Sequence, residues 1–492
     1  MTLVGSDQSL IFQNNPLSEC AMMELVLPND VLLLVGEQLE EKADRWNLIF
    51  VSHHFHDLFL PLLYRKVSIN HWQDANSFLH AILKRPALAR AVRGLDLTKW
   101  HAKSVSGDDC NQIQTSASLR AWLDAISFSK VESDQWSQCL EKGIVDAWVA
   151  LILPLLSQLR TLSLAYTTNS PYLEQIMQRA VDCKKPFSVQ PAFRYLREVS
   201  LHHREDLDNS EHIDDAGSET QLSSTLLLPF FQLPSVRAIT ANSVVDLDST
   251  TTPSEGSTDD AKLRRGFSSI TDIDLRASSG NHGMEMLVSS CADLKSFKYQ
   301  HSDSHVLSHG YQPSAFHRSL THSKKSLQTL WLDHYGSHYP FTAVGLNQSH
   351  DEWFGSLVDF TALQEVRVRL PNLLDIRYQN EPTTPLIECL PSSLETLYIE
   401  GCEERHLGML VSQLQTVIKN RRARFPRLNR VDIEGAFQNV PSDDDDQIAS
   451  SSSALFEAAI KDKIYQAAEP LHMDCVNAGL ELHIHDRALS HI

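Results

Sequence analysis

Leu159-Arg160-Thr161-Leu162-Ser163-Leu164 decides how this chain reads. The alternation puts Leu162 and Leu164 on one face of a short strand and Ser163 on the other, while the leading Leu159 turns into the same apolar layer. The spacing recurs at Leu196-x-x-Val199-x-Leu201, Ile270-x-x-Ile273-x-Leu275, Leu294-x-x-Phe297-x-Tyr299 and Leu327-x-x-Leu330-x-Leu332. It continues at Leu363-x-x-Val366-x-Val368, Leu394-x-x-Leu397-x-Ile399 and Leu428-x-x-Val431-x-Ile433, with a weaker copy at Val236-x-x-Ile239-x-Ala241. Upstream lies Val92-x-x-Leu95-x-Leu97, and Leu480-x-Leu482-x-Ile484 reads as a terminal strand. From residue 159 onward the copies follow one another at intervals of 24 to 40 residues. One such unit cannot bury its own inner face, so neighbours stack on a shared core and form a solenoid. Leu407, Leu410, Val411, Leu414, Val417 and Ile418 fall at helical spacing between two copies, which predicts an α/β fold, a βα solenoid over residues 92–486.

Ahead of the repeat, Leu27-Pro28-Asn29-Asp30-Val31 opens a helix, since Pro28 and Asp30 suit a first turn, and that helix runs on to Leu39. A second helix is expected from an N-cap near Asp44 through Trp46, Leu48, Ile49 and Phe50 to Val51, and a third carries Phe55, Leu58 and Phe59 toward Pro61. About 40 residues make only a marginal core alone, so part of this apolar surface is expected to face a partner. Trp72 to Leu83 reads as an amphipathic helix with Trp72, Ala75, Phe78, Leu79 and Ile82 on one face.

The N-terminal pattern resembles the F-box family: Leu27-Pro28, Asp30, Val31, Leu34-Val35, Leu39, Leu48, Val51-Ser52 and Phe55 stand in the family's order and spacing. Pro61-Leu62-Leu63-Tyr64 is similar to the variant found in fungal members, and so is Arg85-Pro86-Ala87-Leu88 leading into the first repeat. The strand repeat is similar to the leucine-rich repeat, in an irregular form without a clear Asn ladder. Residues 1–23 are polar and irregular and are expected to be disordered; the resemblance adds an F-box at 24–69, a linking helical segment at 70–91 and the leucine-rich-repeat-like solenoid at 92–486. It further implies a substrate-recognition subunit of an SCF-type cullin–RING ubiquitin ligase, docked on a Skp-type adaptor. Leu27, Pro28, Val31, Leu34, Val35 and Leu39 would supply the adaptor contacts. Leu48, Val51 and Phe55 would complete either that face or its supporting core. A non-catalytic F-box/repeat scaffold acting outside ubiquitin transfer is the alternative.

The formal net charge is −19. Arg204–Glu219, Asp246–Asp260 and the four aspartates at 443–446, within 441–453, account for 15 of those charges. These acidic, Ser-rich insertions have too little apolar content to offset the entropy of ordering and are expected to be disordered. The acidic balance disfavours nucleic acid and anionic membrane as partners. Eight scattered cysteines without a CxxC pair read as reduced, buried thiols. The opening MTLVGSDQ lacks the basic region of a secretory leader. A cytoplasmic or nuclear protein is the expectation.

No GxGxxG, HExxH, GxSxG or phosphate-loop motif occurs, so no catalytic residue and no cofactor is assigned. His301, His305 and His309, with Asp303, would share a helical face suited to a metal, but Ser302, Ser304, Ser308 and Gly310 read as a loop. His53, His54 and His56 read as surface residues, and His483 and His485 as neighbours on one strand face without metal ligands nearby. Lys419, Arg421, Arg422, Arg424, Arg427 and Arg430 form the one basic cluster. A helix C-terminus accounts for part of it. An acidic or phosphorylated peptide held by Arg421, Arg422, Arg424, Arg427 and Arg430 is the sharper reading. The outward strand residues give no readable code for a substrate.

Overall fold

The computed structural model describes residues 27–39, 41–99, 116–166, 170–203, 222–246, 265–301, 311–332, 351–376, 381–435, 437, 460 and 462–486. Of the segments expected to be disordered, 1–23, 204–219 and 441–453 lie outside the described residues, as does 246–260 apart from Asp246, and so do Asp303, His305 and His309. The chain divides into two compact units, Met1–Leu63 and Tyr64–Ile492.

The first unit contains α1 (Asn29–Gln38), α2 (Lys42–Leu48) and α3 (His53–Leu63). The Pro28 carbonyl accepts from the Val31 and Leu32 N–H groups at 3.0 and 3.1 Å, which starts α1. Ser52 caps α3 through its hydroxyl, which accepts from the Phe55 N–H at 3.1 Å. α2 stops earlier than the apolar spacing predicts: Ile49, Phe50 and Val51 donate three residues back, to Trp46, Asn47 and Leu48, in a tight turn. Asp44 lies inside the first turn of α2, and Glu41 stands at the cap position. Among the described residues of this unit, Phe59 and Ile49 are the buried apolar side chains, at 2% and 6% exposure. Gly36 lets α1 approach α3, because a Cβ there would meet the Phe59 ring at 2.6 Å.

The second unit is built on twelve parallel strands whose spatial order follows the chain. They are β1 (Lys66–Ser68), β2 (Gly94–Leu97), β3 (Thr161–Tyr166), β4 (Glu198–His203), β6 (Ala238–Asn242), β8 (Asp272–Ser278), β9 (Ser296–His301), β10 (Thr329–Leu332), β11 (Glu365–Arg369), β12 (Thr396–Cys402), β13 (Arg430–Gly435) and β14 (Glu481–Asp486). The two-residue strands β5 (Leu222–Ser223) and β7 (Val244–Val245) pair separately. The sequence-based boundary at 69/70 therefore shifts. Val67 on β1 is in register with Leu95, so the segment read as the end of the F-box belongs to the sheet unit, which begins at Tyr64. Trp72–Lys84 is helical and buries Ala75, Phe78, Leu79 and Ile82, as its spacing predicts.

Register makes the repeat visible as ladders. Leu95, Leu162, Val199, Ile239, Ile273, Phe297, Leu330, Val366, Leu397 and Val431 form one inner row across the strands. Leu97, Leu164, Leu201, Ala241, Leu275, Tyr299, Leu332, Val368, Ile399 and Ile433 form the next, and no residue of either row is more than 3% exposed. Ala241, the reason the Val236–Ala241 copy looks weak in sequence, occupies its row like the others. The leading residues, Leu159 through Leu428, are buried to 1% or better.

In place of an Asn ladder, the main chain links repeats directly. The Arg160 N–H donates to Arg93, Arg197 to Arg160, Arg237 to Arg197, and so on to Asn429 and Glu481, at 2.7 to 2.9 Å. These bonds satisfy backbone groups that the turn would otherwise bury unpaired. Among its described residues, the long interval before β3 holds three α-helices, Ala117–Ile126, Lys130–Glu141 and Val145–Ile152, and Trp136 and Trp148 are completely buried there.

Candidate interaction surfaces

Between the two inner rows each strand presents one residue to the opposite face. In order these are Ser68, Asp96, Ser163, Ser200, Thr240, Asp274, Lys298, Trp331, Arg367, Tyr398, Asp432 and His483. The first six are small or acidic. From β9 onward the column becomes large, aromatic and cationic, except for the buried Asp432 on β13. Strands spaced about 4.8 Å apart bring these side chains into face contact. The Lys298 ammonium sits 3.7 Å from the Trp331 ring centroid, and the Arg367 guanidinium 5.4 Å from Trp331 and 4.3 Å from Tyr398. Such cation–π contacts strengthen when partly desolvated. The Tyr398 ring stacks on His485 at 5.5 Å, and His485 on His483 at 6.0 Å. Trp331 donates its indole N–H to Glu365 at 3.0 Å.

Three carboxylates lie under this layer: Glu400 and Asp432 have no exposed surface and Glu434 has 2%. Buried charges are tolerated only when paired and hydrogen-bonded. Arg367 pairs with Glu400 and reaches Glu434 at 3.8 Å. Tyr398 donates its hydroxyl to Glu434 at 2.7 Å. Arg430 grips Asp432 with two bonds at 2.7 and 2.8 Å, and His485 Nε2 donates to the same carboxylate at 2.7 Å.

The proton affinities follow. Burial pushes the Asp432 carboxyl up, but the hydrogen bonds from His485 and Arg430 prevail and hold it below its ordinary value. Burial works against the charge of Arg367, and Glu400 more than offsets it. Burial and then the bond to Glu434 drive the Tyr398 phenol up, so it remains a donor. Chemically, the arrangement is a fixed surface of ring faces and cations.

Two members of the basic cluster read from sequence, Arg421 and Arg430, are engaged by the fold itself. Arg421 donates to the carbonyls of Leu428 at 2.6 Å and Ala478 at 2.9 Å, tying the short helix Arg421–Arg424 to later backbone. Arg430 belongs to the outward face, held by Asp432. Arg427 approaches Glu395 at 3.8 Å, and Arg422, Arg424 and Arg427 are exposed. His483 and His485 do share a strand face, as expected, but His485 has the carboxylate partner that sequence reading did not find. That reading also passed over Lys298, Trp331, Arg367 and Tyr398. The signal was present: aligning the repeats by their paired inner residues isolates this column and shows its change in character at β9.

In the first unit, Leu27, Val31, Leu34, Val35, Trp46, Phe50 and Val51 are between 40% and 69% exposed. Pro28 is exposed, and Leu39, Leu48 and Phe55 are half-buried. Phe55 packs edge-on to the buried Phe59 at 5.2 Å, so it supports the core as well as reaching the surface.

Among the described residues no group of His, Cys, Asp and Glu is placed to hold a metal, and no helix is long and apolar enough to cross a membrane. Cys291, Cys389, Cys402 and Cys475 are buried free thiols, whereas Cys183 is exposed. Burial pushes Cys291 and Cys402 up to about 12 and Cys389 and Cys475 up to about 11, far from thiolate chemistry at neutral pH. Asp246, assigned by sequence to an acidic insertion, is instead buried at 7% and accepts from the Met284 N–H at 2.8 Å. Burial raises its pKa.

A family model described as a leucine-rich repeat domain matches residues 72–443, about three quarters of the chain. No curated protein matches it.

Proposed function

The chain belongs to the leucine-rich repeat domain family, and on that premise we propose that it is the substrate-recognition subunit of an SCF-type cullin–RING ubiquitin ligase. A leucine-rich repeat domain is a protein–protein interaction module and typically has no catalytic residues. The family match begins at residue 72, so the F-box assignment rests on the residue pattern from Leu27 to Phe55. The observation that carries it is the apolar surface left on α1 and the α2–α3 turn. There Leu34, Val35 and Val51 keep more than half of their area exposed, more than a small unit leaves bare without a partner.

On this reading Leu27, Pro28, Val31, Leu34, Val35 and Leu39 dock on a Skp-type adaptor, with Val51 extending the face. The adaptor brings the cullin, and a protein substrate binds across Lys298, Trp331, Arg367, Tyr398 and His483. The receptor does no bond chemistry. It raises the effective concentration of substrate lysines near the charged ubiquitin-transfer enzyme, in the cytoplasm or the nucleus.

The test is a pull-down of adaptor and cullin by the full chain and by a Leu27→Ala/Pro28→Ala variant. Loss of both partners in a variant that still folds supports the receptor. Unchanged adaptor binding refutes the F-box assignment. Adaptor without cullin in the wild type would move the protein to the scaffold role.

A further inference from the structure

We propose that the row of turns leading into β1, β2, β3, β4 and β6 is a docking strip for an extended, Asp- and Glu-rich segment of a partner protein. The residue before each of these strands is an arginine: Arg65, Arg93, Arg160, Arg197 and Arg237 in order. Lys66, Gly94, Thr161, Glu198 and Ala238, which open the strands, are register partners across the sheet. The five arginines therefore stand in file, one strand apart, at about 4.8 Å per step. They are far apart along the chain, and parallel register alone assembles them.

The turn itself does not require arginine. Thr271, Lys295, Gln328, Gln364, Glu395 and Asn429 hold the same position before β8, β9, β10, β11, β12 and β13. Their N–H groups donate to the preceding turn at 2.7 to 2.9 Å, as those of Arg93, Arg160, Arg197 and Arg237 do. The file of like charges also works against itself. Burial lowers the affinity of the Arg93 guanidinium for its proton, and Arg160 and Arg65 lower it further. The fold gains nothing from such crowding, and a polyanion relieves it.

The forks are held ready for a ligand. Arg93 donates through Nη1 to the carbonyls of Arg90 at 2.7 Å and Val92 at 3.3 Å. Arg237 donates through Nη1 to those of Pro234 and Val236 at 2.9 Å and Ser269 at 3.3 Å. Anchored by one nitrogen, each keeps its remaining donors. Arg160 and Arg197 are exposed. Among the described residues no carboxylate pairs with Arg93, Arg160, Arg197 or Arg237, including Glu198, the exposed acid next to Arg197 in the chain. Guanidinium forks match carboxylates in bidentate geometry. Four steps give a file of about 19 Å, the length of about six extended residues at about 3.4 Å each. A nucleic acid or an anionic membrane is repelled by the net charge of −19. A short acidic segment meets only the charges within a Debye length of about 8–10 Å. The strip is separate from the Lys298–Tyr398 face and does not depend on the adaptor.

Fluorescence anisotropy with the full chain and a labelled oligoglutamate peptide tests the strip. The wild type is expected to bind. Arg93→Gln/Arg160→Gln/Arg197→Gln should bind about tenfold more weakly or worse, because three charge-assisted contacts are lost. Glutamine is the native residue at 328 and 364, where it makes the same turn bond, so this variant should keep its circular dichroism. Arg160→Glu, a single change at an exposed side chain, should weaken binding independently. Arg422→Gln/Arg424→Gln/Arg427→Gln removes the same charge elsewhere and should leave the affinity unchanged. A wild type that does not bind the peptide, or an equal loss in the two triple variants, would overturn the proposal. So would single-stranded RNA or phosphatidylserine vesicles that bind more tightly than the peptide through the same arginines.

Discussion

The rings of Tyr398 and His485 stack 5.5 Å apart and within 12° of parallel although β13 separates their strands. Between those strands lies Asp432, in register with Tyr398 and bonded to His485. A carboxylate pointing toward the solvent face of a sheet is thus left with no exposed surface. The last strands of the sheet therefore have a second ordered layer, polar and aromatic, on the side away from the apolar core.

Arg367→Ala is expected to lower stability by about 3 kcal/mol in urea unfolding, because removing one member of a buried pair leaves the other charge poorly compensated. Glu400, with no exposed surface, is that charge. Arg367→Lys should recover only part, since an ammonium lacks the planar fork and stacks less well on Trp331 and Tyr398. A loss within experimental error for the alanine variant would show that the layer contributes nothing to stability.

Trp331→Ala should weaken capture of a protein partner by tenfold or more, about 1.5–2 kcal/mol, as expected for a central aromatic anchor. Ser163→Ala occupies the same column on β3 and should leave capture unchanged. Quantitative affinity purification with the full chain compares the two. Equal effects, or none, would remove the face of β9–β14 from the binding role.

Gly36→Ala should destabilise α1–α3 by about 1–3 kcal/mol. The new methyl would meet the Phe59 ring at 2.6 Å and Leu62 at 3.0 Å, and Phe59 is buried on its other sides. Hydrogen exchange should quicken over residues 29–63 and stay as in the wild type over β8–β13. Unaltered exchange in α1 and α3 would show that the helices separate without cost.

Acid should destabilise the fold through His317. Burial holds its imidazole below the usual value, only partly offset by its bond to the Ser356 carbonyl at 3.1 Å. The unfolded chain therefore takes up this proton first as pH falls. The stabilisation is complete above about pH 6.5 and declines below it toward the depressed folded value. His202 is lowered for the same first reason and adds in the same direction. His317→Gln should flatten the dependence of the urea midpoint below about pH 6.5, and an unchanged slope would exclude this residue as the source.

The strand rows were legible in the chain because each buried position needs an apolar side chain at fixed spacing. Leu159, Leu162 and Leu164 announce them, and even Ala241 keeps the register. The outward layer was not legible from any single copy, since Trp331 or Arg367 alone resembles an ordinary surface residue. It arises only when parallel register sets Trp331 between Lys298 and Arg367. The Arg421–Arg430 cluster was legible only as a run of charges: closeness in sequence does not disclose that Arg421 is directed at the carbonyls of Leu428 and Ala478, while Arg430 is folded onto a strand face and Arg422, Arg424 and Arg427 stay exposed. Asp246 looked like part of a polar insertion because its composition matches its neighbours. Only the fold brings the Met284 N–H to its carboxylate.

Strand order that follows chain order also determines how the molecule would come apart under tension. Each strand is gripped chiefly by its predecessor and its successor, so a force applied at the C-terminal end would load one interstrand seam at a time. Releasing the chain between β12 and β13 frees the 34 residues from Thr396 to Asn429, or roughly 115 Å of extended chain at about 3.4 Å per residue. A pulling trace would accordingly be a staircase of unequal treads, their lengths set by the spacing of successive strands along the chain.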